Sequence, residues 1–355
     1  MAEGECRICR RSKTDLSETL GVCPDCLREN SPQVKQYAAS IHATSRLTFD
    51  LPAAPPRNKG GIRCRICANE CQIEEGERGF CGLRTVQKGR LVHLAGKPRS
   101  GLLHWYRDPL PTNCVADWVC EGGEHLGDHN LAIFYQSCTA NCLFCQNWRY
   151  RQISPVESQT ISSTQLASKS NRQTFCACFF GGDPSSQMPH AIDSARRLAR
   201  RGVRICWETN GMMHPSLLDP AVDISLESGG CIKFDLKAWD EGLHLGLTGV
   251  SNKHTLENFS RAAQRINERN RPPLLVASTL LLPGYVDADQ VGKIAAFIAD
   301  IDADIPYALL VFAPNFFMAD LPYTSLQQVR EAEAAARAAG LTNVHIGNRH
   351  LIESV

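Results

Sequence analysis

Cys138, Cys142 and Cys145 stand in the run SCTANCLFCQN with C-x3-C-x2-C spacing. A short loop with that spacing can close three thiolates around one iron–sulfur cube and leave one iron without a protein ligand. A cube held by four cysteines passes electrons, whereas an open iron can bind and activate a second molecule. The competing reading is a structural zinc knuckle. Zinc takes four closed ligands, and the nearest candidate for a fourth, His129, precedes the apolar run that leads into the loop.

The chain holds 17 cysteines, most of them in pairs two or three residues apart, a spacing that suits metal ligation better than disulfides in a reducing compartment. Cys6, Cys9, Cys23 and Cys26 form C-x2-C and C-x2-C pairs with thirteen residues between them, close to a zinc ribbon. Zinc is the expected occupant, and a single iron on four thiolates fits the same spacing. Cys64, Cys67, Cys71 and Cys81 form a second array, for zinc or for an auxiliary cluster; spacing does not decide between them. Cys114 and Cys120 have no evident partners, and Cys176, Cys178, Cys206 and Cys231 fall in apolar runs, where free thiols act as small apolar side chains.

The elements that must carry these residues follow from periodicity. Residues 51–61, LPAAPPRNKGG, read as a linker, which separates a ribbon-like module (1–50) from a second cysteine-rich module (62–127). From 128 to 355, strand-length apolar runs alternate with helical patterns, as in βα units around a parallel sheet. The expected strands are 131–136, 174–180, 203–207, 231–236, 274–281 and 307–312. Leu256, Phe259, Ala263 and Ile266 share one helical face, and Val291, Ile294, Phe297 and Ile298 share another. Ser325 with Gln328 marks the start of the last long helix, which should stop near Gly340. This predicts an α/β fold whose six strands build a partial TIM-like barrel, with the triad's loop at the C-terminal mouth where active sites of such folds gather.

Composition excludes several classes. With 38 Lys and Arg against 37 Asp and Glu, no global field draws the chain to nucleic acid. MAEGECRICRR lacks the apolar core of a secretion signal, and the longest apolar stretch is far short of the ~20 residues that span a bilayer. The expected location is the cytoplasm, without membrane association.

The triad's C-x3-C-x-aromatic-C form resembles the signature of the radical S-adenosylmethionine (SAM) superfamily, and the chain is similar to the pyruvate formate-lyase activating enzymes. The resemblance implies a [4Fe-4S] cluster whose open iron chelates SAM, with Phe144 at the adenine and Asn147 at the ribose. FFGGDPSS resembles the family's GGE motif, which implies a site for the SAM amino group at Gly181, Gly182 and Asp183, with Asp in place of the usual Glu. WETNG and IKFDLK match the positions that surround the SAM carboxylate and, in some members, a monovalent cation: Glu208, Thr209, Asp235 and Lys237. Strand alternation independently sends Asp235 and Lys237 to one face, where buried charges need a partner or ligand. A plain salt bridge capping the barrel is the alternative. LTGVSNKHTLENF and LLPGY extend the resemblance over about 131–314. FAPNFFMADLPYT resembles the radical enzymes associated with Memo and AMMECR proteins, and puts Asn315 where the activating enzymes carry a His that contacts SAM. The second cysteine array resembles the N-terminal motif of the same group.

The resemblance implies reductive cleavage of SAM to a 5′-deoxyadenosyl radical, with an external electron donor, and hydrogen abstraction from a macromolecular substrate such as a protein. A glycyl-radical enzyme activase is one alternative. A non-catalytic metal- or cluster-binding interaction protein is the other.

Overall fold

The computed structural model describes residues 3–112 and 114–352. A short antiparallel hairpin, β1 (Glu3–Glu5) with β2 (Ser12–Thr14), opens the chain and is followed by α1 (Pro24–Glu29) and α2 (Pro32–Leu47). Ser31 caps α2 by accepting from Val34 N, and Pro32 sits in the first turn, where its missing N–H costs nothing. Two further hairpins, β3 (Ile62–Arg63) with β4 (Gln72–Ile73) and β5 (Arg84–Gln87) with β6 (Arg90–His93), carry the second cysteine array.

The rest is one eight-stranded sheet: β7 (Leu103–Pro109), β8 (His129–Tyr135), β9 (Thr174–Gly181), β10 (Arg204–Thr209), β11 (Ile232–Asp235), β12 (Leu275–Leu281), β13 (Tyr307–Val311) and β14 (Val344–Gly347). Spatial order equals chain order. β7 runs antiparallel to β8, and every later pair is parallel. Helices fill the crossovers: α3 (Ser163–Ala167) and α4 (Met188–Ala199), α5 (Pro215–Ser228), α6 (Glu241–Thr248) and α7 (Lys253–Ala263), α8 (Ala288–Ile301), and α9 (Leu326–Ala338). All six expected strands are present. The two that the pattern missed lie at the sheet edges: β7 is largely solvent-facing, so its apolar alternation is weak, and β14 has four residues.

The apolar core runs without a break from Leu20 and Leu27 to Leu309 and Ile346. The expected helical faces point into it: Val291, Ile294 and Ile298 of α8 are buried, as are Phe259 and Ala263 of α7. Ile266 falls in a separate 3-10 turn beyond α7. Ser325 caps α9, and Gly340 turns the chain away with φ +104°. The first fifty residues press directly on this core, because α6 offers glycines to α1. A Cβ on Gly242 would stand 2.1 Å from Leu27 O, and one on Gly246 2.6 Å from Leu27 Cδ2.

Three histidines, His42, His190 and His244, are buried as neutral rings, and the last two show the pattern. His190 Nδ1 accepts from Tyr135 OH at 2.8 Å while its Nε2–H donates to Ile161 O at 3.0 Å, and His244 Nδ1–H donates to Val250 O at 2.8 Å. Burial pulls both down to about 4. An unfolded imidazole titrates near ~6.5, so between ~6.5 and ~4 the unfolded chain binds more protons than the native one. Stability is therefore full above pH ~6.5 and falls as pH drops, by up to about 3 kcal/mol per ring. Ring signals in NMR are expected to stay neutral at pH ~5; a ring that titrates near ~6.5 contradicts this.

Candidate active site

The triad lies in the loop after β8, at the C-terminal end of a parallel strand. The loop is held by its backbone and by several side chains, Asn141 foremost. Asn141 N donates to Thr248 O at 2.8 Å and Leu143 N to Leu247 O at 3.0 Å, which pins it to the end of α6. Asn141 Nδ2 donates to His42 Nδ1 at 2.9 Å and to Ser45 Oγ at 2.7 Å, both on α2, and its Oδ1 accepts from Arg151 Nη1. Asn210 Nδ2 reaches Cys138 Sγ at 3.6 Å and Thr139 Oγ1 at 3.0 Å.

The three cysteines open on one cavity of about 160 Å³. Its walls include Phe144 and Asn147 from the loop, Gly181, Gly182 and Asp183 after β9, Glu208 on β10, and Asp235 and Lys237 at the end of β11. Desolvation pushes all three thiols up, Cys138 to about 12 and Cys142 to about 11. Arg151, 5% exposed, also lines the cavity, and its Nε and Nη2 have no partner. A buried cation with two idle donors beside three protonated thiols fits an anionic thiolate-bound group. The residues present thus suit an iron–sulfur cluster.

Across the cavity, Lys237 Nζ and Asp235 Oδ2 form an ion pair at 2.7 Å, and Ser278 Oγ donates to Asp235 Oδ1 at 3.0 Å. The Lys237 ammonium stands 5.9 Å from the Phe144 ring centroid. Asn147 Nδ2 donates to Gly181 O at 3.3 Å. Asp183 is turned inward: its carboxylate accepts from Asn210 N at 2.6 Å, Ser185 N at 2.7 Å and Thr209 Oγ1 at 3.0 Å, and burial raises it to about 6. It ties the loop after β9 to the loop after β10. Thr209 stands behind it and outside the cavity wall. Asn315 is also outside that wall, where its Oδ1 accepts from Phe316 N at 2.8 Å.

Gly182 marks the closest approach to the cluster loop. A Cβ there would lie 2.3 Å from Ser137 O and 3.0 Å from Tyr135 O, both backbone atoms that cannot swing aside. Gly182→Ala is expected to displace the residues next to Cys138 and cut the iron retained after anaerobic reconstitution severalfold. Wild-type iron content in that variant would contradict the geometry.

Sequence reasoning missed the floor of the site. Lys233 is fully buried, with Nζ 3.0 Å from Cys114 Sγ, 3.2 Å from Cys178 Sγ and 3.3 Å from Glu208 Oε2. Cys206 and Cys231 bring their sulfurs to 3.8 Å nearby. Cys178 and the otherwise unpaired Cys114 thus flank the Lys233 ammonium, while Cys231 and Cys206 pack in a small apolar cluster as expected of strand thiols. The signal was available: the alternation that sends Asp235 and Lys237 to one face sends Lys233 there too. Nothing local marked Arg151 or His42.

The N-terminal cysteines form a tighter site. The sulfurs of Cys6, Cys9, Cys23 and Cys26 all lie within 4.8 Å of one another, with Cys6 to Cys26 at 3.9 Å and Cys9 to Cys23 at 3.8 Å. A tetrahedral ion with ~2.3 Å bonds to sulfur sets such edges near ~3.8 Å. Among the described residues no other group of three or more His, Cys, Asp or Glu side chains comes so close. Among them, too, no helix is long and apolar enough to cross a membrane.

Residues 132–298 match the Radical SAM superfamily. An uncharacterised protein of Methanocaldococcus jannaschii is 25% identical over 306 residues, which cover 81% of each chain. The pyruvate formate-lyase 1-activating enzyme of Escherichia coli is 26% identical over 165 residues, 44% of this chain and 63% of that enzyme's length. A domain of pyruvate-formate lyase-activating enzyme from Bacteroides vulgatus aligns with a TM-score of 0.40 and 19% identity, over 48% of this chain and 98% of that one.

Proposed function

This chain carries a radical SAM domain, and from that premise we propose that it reductively cleaves SAM and abstracts hydrogen from a protein substrate. One observation carries the reading: three cysteines and an Asp235–Lys237 ion pair face each other across a cavity that also holds an unsatisfied Arg151. Cys138, Cys142 and Cys145 would hold a [4Fe-4S] cluster. When bound, that group supplies the electron that splits the sulfonium to a 5′-deoxyadenosyl radical, and an external donor restores it.

The protein's own residues bind and orient. Lys237 offers an ammonium to the SAM carboxylate, and Asp235 holds that ammonium in place with help from Ser278. Phe144 gives an apolar face to the adenine and Asn147 an amide to the ribose. Glu208, held by Lys233, keeps a carboxylate in the wall for a cation or the SAM amino group. Asp183, its oxygens already engaged, is a positioning residue that fixes the backbone of Gly181 and Gly182.

A protein substrate is supported by those matched relatives that are named for activating another enzyme, so a glycyl-radical activase is one form of the reading. Zinc is the proposed ion at Cys6, Cys9, Cys23 and Cys26, on the grounds of the tight sulfur tetrad. Seventeen cysteines, most of them at metal-ligand spacing, support a cytoplasmic setting.

Anaerobically reconstituted protein given dithionite and SAM should release methionine and 5′-deoxyadenosine. A yield that rises with the macromolecular fraction of a cell extract supports a protein substrate, and one that rises only with the small-molecule fraction redirects it. No product from cluster-loaded protein would leave a non-catalytic interaction protein as the better reading.

A further inference from the structure

We propose that Cys64, Cys67, Cys71 and Cys81 ligate a second iron–sulfur cluster, hydrogen-bonded through its loops to the triad's own loop. The four cysteines line one small cavity of about 10 Å³ together with Arg84 and Ser186. Their sulfurs are more widely spread than the zinc-like tetrad, since neither they nor any three of them fall within 4.8 Å of one another. The catalytic triad shows the same wide spread. A single tetrahedral ion needs edges near ~3.8 Å, whereas a cube sets its thiolates further apart because each binds a different iron. The two arrays that share a modular look in the sequence are therefore of different kinds.

Arg84 supplies an independent sign that an anionic group fills the cavity. It is 1% exposed, yet its Nε and Nη2 have no partner, and Nη1 reaches only Cys81 Sγ at 3.9 Å. A buried guanidinium with idle donors is costly unless an anion faces it, and a cluster held by four thiolates is one. Phe80 N already points at Cys71 Sγ from 3.4 Å, the kind of backbone donor that thiolate ligands attract.

The position suggests the use. Ser137 Oγ, next to Cys138, donates to Cys81 O at 2.8 Å, and Asn69 Nδ2 donates to Thr139 O at 2.7 Å. Cys81 and Cys138 also share the wall of a cavity of about 520 Å³. With four cysteine ligands this cluster has no open iron, so it exchanges single electrons without binding SAM. It takes one electron from an external low-potential reductant and hands one to the triad's cluster, ending in its starting state. This relay rests on the proposed function; the ligation does not.

The test separates the two. A triple Cys138→Ala, Cys142→Ala, Cys145→Ala protein, reconstituted with ferrous iron and sulfide, should keep about half the wild-type iron and matching sulfide. Its reduced EPR signal should not change on adding SAM. Cys64→Ala with Cys67→Ala should lose the other half and keep a SAM-responsive signal, and loss of that signal alone would count against the triad. In the triple variant, Arg84→Met should shift the midpoint potential to more negative values. A triple variant without iron, alongside two zinc ions per wild-type chain, would overturn the second cluster.

Discussion

Cys142→Ala protein should fold normally and release no 5′-deoxyadenosine above the cluster-free background, a fall of about a thousandfold or more, or about 4 kcal/mol in barrier. The thiol is buried in the cavity wall, and no fourth cysteine lines that cavity to replace it as a third thiolate. The loop around it does not depend on the sulfur, because Asn141 N and Leu143 N are bound to the end of α6 and Asn141's amide to α2. Circular dichroism should therefore match wild type while single-turnover product, read by mass spectrometry with dithionite as reductant, disappears. Product at the wild-type rate would refute the triad as the cluster's ligand set.

Removing the zinc proposed at Cys6, Cys9, Cys23 and Cys26 should have the second largest effect, and it should be felt at the triad. A structural zinc of this type contributes on the order of 10 kcal/mol to the segment it holds. That segment includes α1 and leads directly into α2, which brings His42 and Ser45 to Asn141. Arg46 of the same helix donates to Phe80 O, beside Cys81. Chelation should expose α2 amides to hydrogen exchange and then release iron from the barrel. If α2 stays protected in zinc-free protein, the coupling between ribbon and cluster loop is absent.

That coupling could not be read along the chain. The sequence divides at 51–61 into a ribbon-like module and a second cysteine-rich module, with the barrel beyond 128, and the Pro-rich run has no periodicity to suggest that the ribbon meets the barrel. In the folded protein the helix before that run is built into the site. Sequence reading was similarly partial for Asp183. Its place in GGDPSS implied a role toward the SAM amino group, and only the fold shows that its carboxylate, in the cavity wall, also accepts from Asn210 N and Ser185 N.

Local spacing and periodicity are properties of neighbouring residues, so the chain alone determined the three-thiolate loop, the sulfur tetrad of the ribbon and six of the eight strands. They also placed Asp235 and Lys237 on one face of a strand. What converges across the sheet depends on which distant segments pack together, and that was decided only in three dimensions. The Asn141 clamp joins residues about a hundred positions apart, and the thiol nest around Lys233 joins three separate segments. Burial then sets their chemistry: the same fold that strips water from all three cations surrounds Lys233 with two thiols and a carboxylate from distant segments, and leaves Arg151 and Arg84 with donors that no local motif satisfies.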